Sequence, residues 1–88
     1  MNTAQEILKI MREHPNRHLV FVTRSFTAWG NDVVPAIGIT AGDIYVTDGL
    51  NHDDVPKSVF DQLLADGLIE KESEDTDLIR YKLSERAK

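Results

Sequence analysis

Histidines and carboxylates stand together at two places in this sequence, and in such patterns they can bind metal ions. The stretch "HDD" at 52–54 offers one nitrogen and two oxygen ligands in a row, and His14 and His18 have a spacing that suits one helix face. However, Pro15 breaks a helix between those two histidines, and no motif supplies a third ligand. The sequence therefore predicts no metal site.

The residue patterns that are typical of enzymes are missing. We find no nucleophile motif, the glycines do not form a phosphate-binding loop before a helix, and the carboxylates cluster where solvent keeps them ordinary acids. A chain of 88 residues also has little room for a water-excluding pocket beside its core. We therefore expect a non-enzymatic protein without a cofactor.

The charge is distributed unevenly along the chain, whose net charge is −5. Residues 1–30 carry four bases against two acids, and residues 31–88 carry six bases against thirteen acids. Because Lys and Arg provide most of the affinity for phosphate, binding to nucleic acid requires a local basic patch. The candidate patch is "REHPNRHLVFVTR", and its basic residues are Arg12, His14, Arg17, His18 and Arg24. They could converge on a phosphate, an RNA strand or an acidic protein, or lie scattered on the surface.

Length and composition predict one small domain, residues 1–88, which must bury nearly every apolar residue it has. The absence of cysteine fits a reducing compartment. The longest apolar run is only a few residues, and the N-terminus has no charged region followed by a hydrophobic one, so we expect neither a membrane span nor a secretory signal. These features predict a cytoplasmic protein.

The first half of the chain predicts a helix and then strands. Thr3 and Glu6 form a capping box, and apolar residues then recur at helical spacing, which predicts a helix from Thr3 to Glu13. From His18, "HLVFVTR" is rich in β-branched and aromatic residues and predicts a strand that is covered on both faces. We expect an edge strand around 33–39, which could pair with the first strand as a hairpin.

The segment 41–48 permits two interpretations: a short helix, or a strand formed by "IYVT". The pattern after it predicts a helix from Val55 to Asp66, capped by an aspartate of the stretch 52–54 and ended by Gly67. Strands at 68–72 and 78–83 follow, joined by "SEDTD". The expected core joins both helices to the strands, and its members are Ile7, Leu8, Met11, Phe21, Val59, Phe60, Leu63, Leu64, Ile69, Ile79, Tyr81 and Leu83.

The order helix, strand, uncertain element, helix, hairpin resembles a winged helix-turn-helix domain. The run "VFDQLLADGLIEKES...RYKLSERAK" is similar to the recognition-helix and wing half of bacterial regulators of the multiple-antibiotic-resistance (MarR) and PadR kinds. The residues that match are Leu63, Gly67, Leu68, Ile69, Tyr81, Leu83 and Ser84. The resemblance covers residues 55–87, and it implies an α+β, winged-helix-like fold. Upstream, the helix-turn-helix pattern can be laid on the sequence with Ile44 in the first helix, Gly49 and Leu50 at the turn and Val55 opening the second helix. Tyr45 stands where that pattern usually has Ala, so a strand in place of the first of these helices is the alternative.

The resemblance implies that the helix Val55 to Asp66 enters a major groove of duplex DNA and that the hairpin contacts phosphates. Its candidate residues are Lys57, Ser58 and Gln62 on the helix and Lys71, Arg80 and Lys82 on the hairpin, with Arg17 and Arg24 as a second contact. The protein would then be a nucleic-acid-binding regulator, and two copies could form a homodimer.

The acids of the same half support a rival prediction. Five acids surround the hairpin tip, and alternating charges on paired strands neutralise one another. The rival is a protein-interaction module that kept a winged-helix-like fold and exchanged a basic face for an acidic one. Trp29 could be an interface anchor or a cap on the core.

Overall fold

The structure is a computed structural model, and it describes residues 3–27 and 38–87. In these ranges the chain forms an α+β domain of two helices and a five-stranded antiparallel sheet, as the sequence predicts for the fold class. The elements in chain order are α1 (Ala4–Glu13), β1 (His18–Val22), β2 (Phe26–Thr27), β3 (Gly38–Ile39), β4 (Ile44–Thr47), β5 (His52–Asp54), α2 (Lys57–Ala65), β6 (Ile69–Glu74), β7 (Leu78–Leu83) and a 3-10 turn (Glu85–Ala87). The sheet order is β5-β4-β1-β7-β6, and β2 and β3 pair separately.

Helix α1 begins where the sequence predicts. Thr3 is the N-cap, and its hydroxyl accepts a hydrogen bond from the backbone N–H of Glu6 at 3.2 Å. The helix ends at Glu13, with His14 as the C-cap directly before Pro15, because proline disfavours helical backbone at the residue before it. The predicted helix from Thr3 to Glu13 is confirmed.

The uncertain segment 41–48 contains a strand. β4 pairs with β1, with Val46 opposite Leu19 and Ile44 opposite Phe21, and all four of its residues are buried. A strand buried on both faces suits β-branched and aromatic side chains, and this preference decides between the two interpretations. The interpretation of Ile44 as part of a first helix of a helix-turn-helix is therefore wrong, and the strand alternative is correct.

Helix α2 is two residues shorter at its start than the predicted helix. Its N-cap is Pro56, which offers no side-chain acceptor, while Asp53 and Asp54 belong to β5. The prediction that one of these aspartates caps the helix is therefore wrong. The end is as predicted: Asp66 is the C-cap, and Gly67 follows with a φ of +68°, a left-handed conformation that glycine adopts without steric cost.

Strands β6 and β7 form the predicted hairpin, and β6 continues to Glu74. A bulge interrupts their register between Lys71 and Ser73. β7 also pairs with β1, so β1 lies beside the β6–β7 hairpin as a third antiparallel strand. The predicted strand at 33–39 lies mostly outside the described residues, together with Trp29. Its described part, β3, pairs with β2 and not with β1.

The helices pack on one face of the sheet, and a second apolar cluster occupies the other face. Buried residues of the helix-side cluster are Ile7, Leu8, Met11, Leu19, Ile44, Val46, Val55, Phe60, Leu63, Ile69 and Ala87. The opposite face holds Val20, Val22, Ile39, Tyr45 and Leu78. Most of the predicted core residues are buried or half-buried in the first cluster. Leu64 is not, since 39% of it is exposed.

Candidate interaction surface

Helix α2 carries the three residues that the sequence predicts to face DNA bases. Lys57, Ser58 and Gln62 are all exposed, as such a role requires. The Nζ of Lys57, however, lies 2.6 Å from the Oδ1 of Asp61 one turn later and 5.9 Å from the centre of the Phe60 ring. The lysine that would approach phosphate is therefore already paired with a carboxylate on its own helix.

The two lysines of the hairpin are paired in the same way. Lys71 Nζ lies 3.1 Å from Glu74 Oε1, and Lys82 Nζ lies 3.7 Å from Glu70 Oε1 on the neighbouring strand. The second pair joins residues that stand directly opposite each other in the β6–β7 register. Of the predicted pairings across the hairpin, the fold therefore shows one long contact, that of Lys82 with Glu70, while Lys71 pairs within its own strand.

Arg80 lies on a different surface from α2. It stands opposite Val20 in the register of β7 and β1, and Val20 belongs to the cluster on the sheet face away from the helices. Directly opposed residues of an antiparallel pair share a face, so Arg80 is separated from Lys57 by the sheet. Its Nε is buried without a hydrogen-bond partner among the described residues. A single DNA duplex docked on α2 therefore cannot contact both Arg80 and Lys57.

Arg17 connects the start of β1 to the β4–β5 hairpin. Its Nη1 donates to Asp53 Oδ2 at 3.0 Å, its Nε lies 3.8 Å from Asp48 Oδ2, and 14% of its side chain is exposed. The pKa of Asp48 is lowered because its carboxylate accepts backbone N–H bonds from Asn51 and Leu50, with a smaller contribution from Arg17. Arg17 is therefore a structural cation in this fold.

Arg24 lies beyond the opposite end of β1 from Arg17. It is exposed, and its backbone N–H donates to the carbonyl of Asp77 at 3.2 Å. The eight predicted contact residues therefore occupy separate parts of the molecule. The basic patch predicted from "REHPNRHLVFVTR" is divided as well: Arg12, Arg17 and His18 line a common groove, and Arg24 lies at the other end of the strand.

The stretch 52–54 forms β5 and has packing and pairing roles. The ring of His52 meets Tyr45 edge-on at 5.5 Å between centroids, and Asp53 accepts from Arg17. Burial raises the pKa of Tyr45 to about 12, and a hydrogen bond from its hydroxyl to Asp43 Oδ2 at 3.1 Å adds to the effect. In the described ranges, no three histidine or carboxylate side chains are placed to hold a metal ion.

Residues 57–77, which we call the acidic segment, contain α2, β6 and the loop after β6. The segment carries two lysines against seven acids, a net charge of −5. Both lysines pair with acids of the segment itself, as described above. Within the described part of the chain, no cation lies within ion-pair distance of Asp66, Asp75 or Asp77. The segment therefore offers unpaired negative charge to a partner.

Two features of the surface were not predicted from the sequence. Leu50 is 90% exposed at the tip of the β4–β5 hairpin, where the backbone N–H groups of Leu50 and Asn51 donate to the side-chain Oδ1 of Asp48. Glu72 reaches His18, with 3.5 Å between carboxylate and imidazole, from the bulge of β6. The contact between Glu72 and His18 has no local sequence signal, because the two residues are more than fifty positions apart in the chain and meet only through the packing of the strands.

Neither helix of the described chain has the length and hydrophobicity that a membrane span requires. Comparison of the chain with protein-family models, curated proteins and solved structures found no match. The resemblance to winged-helix regulators therefore stays a prediction from the residues that carry it.

Proposed function

We propose that this protein is a non-enzymatic interaction domain whose acidic segment binds a basic surface of another protein. The observation that carries the proposal is the charge pairing of the segment. Lys57 and Lys71 lie against Asp61 and Glu74. Among the described residues, no cation lies within ion-pair distance of the three remaining acids Asp66, Asp75 and Asp77. An exposed surface of this sign attracts lysine- and arginine-rich partners and repels phosphate.

Binding to duplex DNA is the second candidate, and one observation favours it. Helix α2 leads directly into the β6–β7 hairpin, and β1 adds to that hairpin through β7. This connectivity supports the winged-helix resemblance, in which a helix and the following hairpin contact DNA. Against it, β4 and β5 precede α2 where a helix-turn-helix has its first helix.

A binding experiment with two probes distinguishes the candidates. Decalysine represents a basic protein surface and a random-sequence duplex represents DNA, and each is titrated against the protein at several salt concentrations. We expect decalysine to bind and its affinity to fall with salt, and we expect the duplex not to bind even at low ionic strength. DNA binding with a steep salt slope, weakened by both Lys57→Ala and Arg80→Ala, would instead support the second candidate.

Matched variants separate a binding surface from net charge alone. The double substitution Asp66→Asn and Asp75→Asn removes two charges from the acidic segment, and Glu6→Gln with Glu13→Gln removes two from α1. We expect the first pair to weaken decalysine binding about three- to tenfold, because each exposed charge contributes a fraction of a kcal/mol to about 1 kcal/mol. Equal losses in both double variants would show only a net-charge effect and would overturn the proposal.

A further inference from the structure

A groove lies at the end of the sheet where β1 begins and β7 ends. It is formed by the last part of α1, the start of β1 and the β6–β7 hairpin, and its volume is about 620 Å³. This volume is within the range of roughly 300–1,000 Å³ that is usual for small-molecule sites. Its apolar lining consists of Met11, Pro15 and Leu83. The groove can therefore cover the hydrocarbon part of a small ligand.

Cations outnumber acids among the residues that line this groove. Arg12, Arg17 and Lys82 contribute three positive charges, and Glu72 contributes one negative charge. The charge of Arg17 is balanced by the carboxylates of the β4–β5 hairpin, and Glu72 is paired with His18. Arg12 and Lys82 are left to act on a ligand, since Lys82 is paired only by a contact of 3.7 Å with half of its side chain exposed.

Arg12 is held in one orientation by a backbone contact. Its Nε donates to the carbonyl of Ala87 at 2.8 Å, a bond that joins α1 to the 3-10 turn. In the described chain, no acceptor is bonded to its Nη1 or Nη2, and no carboxylate is within ion-pair distance of it. A guanidinium binds a carboxylate through two parallel N–H bonds, and prior anchoring reduces the conformational entropy that binding would otherwise cost.

We propose that the groove binds a small organic carboxylate with an aliphatic or aromatic body. The carboxylate lies between Arg12 and Lys82, and the body packs on Met11, Pro15 and Leu83. Glu72 in the lining repels an anion, and the two cations outnumber it. The site does not depend on which partner the acidic segment binds.

Titration calorimetry with octanoate tests the site, with octanol and octylammonium as probes of the same chain length. We expect octanoate to bind at least about tenfold more tightly than octanol, because a charge-assisted bond to a guanidinium is lost in the alcohol. Octylammonium should bind more weakly still, since its charge faces two cations. Equal affinity for octanoate and octanol, or no detectable octanoate binding, would overturn the proposal.

Three variants and a control then locate the carboxylate. Arg12→Gln and Lys82→Gln should each weaken octanoate binding, by about tenfold for the arginine, while Glu72→Gln should strengthen it by removing repulsion. Lys9→Gln removes an equal charge from an exposed position on α1 outside the groove and should leave the affinity unchanged. Because Arg12→Gln also removes the bond to Ala87, Lys82→Gln serves as the variant without that loss. Unchanged affinity in both Arg12→Gln and Lys82→Gln contradicts the site.

Discussion

At the scale of single residues, Arg17 shows how one cation can be committed to the fold and withdrawn from binding. It connects β1 to two carboxylates of the β4–β5 hairpin, Asp48 and Asp53, while little of its side chain is exposed. A salt bridge in such a place leaves an uncompensated charge when one partner is removed. The stability of the β4–β5 hairpin on the sheet therefore depends on this arginine.

We expect Arg17→Gln to lower the free energy of unfolding by about 1–3 kcal/mol, because Asp53 loses its charged donor in a mostly buried position. Urea unfolding followed by circular dichroism measures the change. Lys9→Gln is the control, since its pair with Glu13 spans 3.9 Å with 73% of the lysine side chain exposed, and it should cost less than about 0.5 kcal/mol. Similar losses in both variants would show that Arg17 has no special structural role.

Ionisation of Tyr45 makes the free energy of unfolding vary with pH in the alkaline range. Its pKa is raised from the ordinary 10.0 to about 12, mainly by burial, so the unfolded chain ionises first. The contribution of the neutral phenol is complete below pH 10 and is lost as the pH rises toward 12. We expect the ultraviolet ionisation step that Tyr45→Phe removes to be centred near pH 12. A step removed near pH 10 would show that this hydroxyl is accessible to solvent.

At the scale of elements, the join between α2 and β6 depends on backbone conformation at Gly67. Its φ of +68° is one that side chains with a Cβ rarely adopt, while a Cβ there would meet only the Nη1 of Arg86 at 3.5 Å. Glycine is therefore favoured at position 67 by its backbone dihedral angle and not by a lack of room for a side chain. The chain needs this turn to bring β6 back along the sheet under the helix.

We expect Gly67→Ala to destabilise the domain by about 1–2 kcal/mol and Gly67→Asn to cost less, because asparagine tolerates the left-handed region better than alanine. Thermal and urea unfolding of both variants measure the difference. If the larger asparagine costs more than alanine, contact with Arg86 and not the dihedral angle decides, and the conformational explanation is wrong.

At the scale of the whole molecule, the charge distribution makes stability depend on salt. The acidic segment holds a net charge of −5, equal to that of the whole chain, so the rest of the molecule is neutral overall. Screening reduces repulsion between its acids, and we expect the unfolding midpoint in urea to rise when salt is increased from low ionic strength.

Asp75→Asn should reduce this dependence on salt, and Glu13→Gln, which removes the same charge from α1, should reduce it less. Parallel urea titrations at a series of sodium chloride concentrations give the slopes. If stability falls with salt in the unaltered protein, attraction within its ion pairs outweighs repulsion in the segment. Such a result would contradict the picture of a segment with surplus negative charge.

Local patterns were sufficient to predict most of the elements and little of the surface. The capping pair Thr3 and Glu6 and the Gly67 signal gave correct helix limits because the bonds they depend on are local. Segment 41–48 could not be decided in the same way, because its strand exists through pairing with β1, more than twenty residues away in the chain. Whether the candidate binding residues share one surface also depends on how distant strands pair, which the sequence does not show locally.

By itself, the sequence determined an α+β domain with two amphipathic helices and a closing hairpin, since helical spacing, alternation and turn residues act over a few neighbours. It also determined where the acids are concentrated. Only the tertiary structure decided that Arg17 is paired with the β4–β5 hairpin, that Arg80 lies behind the sheet from Lys57, and that Arg12 and Lys82 line the same groove. The physical reason is that distant charges become neighbours through the order of the strands and the sheet face on which each side chain lies. No local sequence pattern encodes either of these.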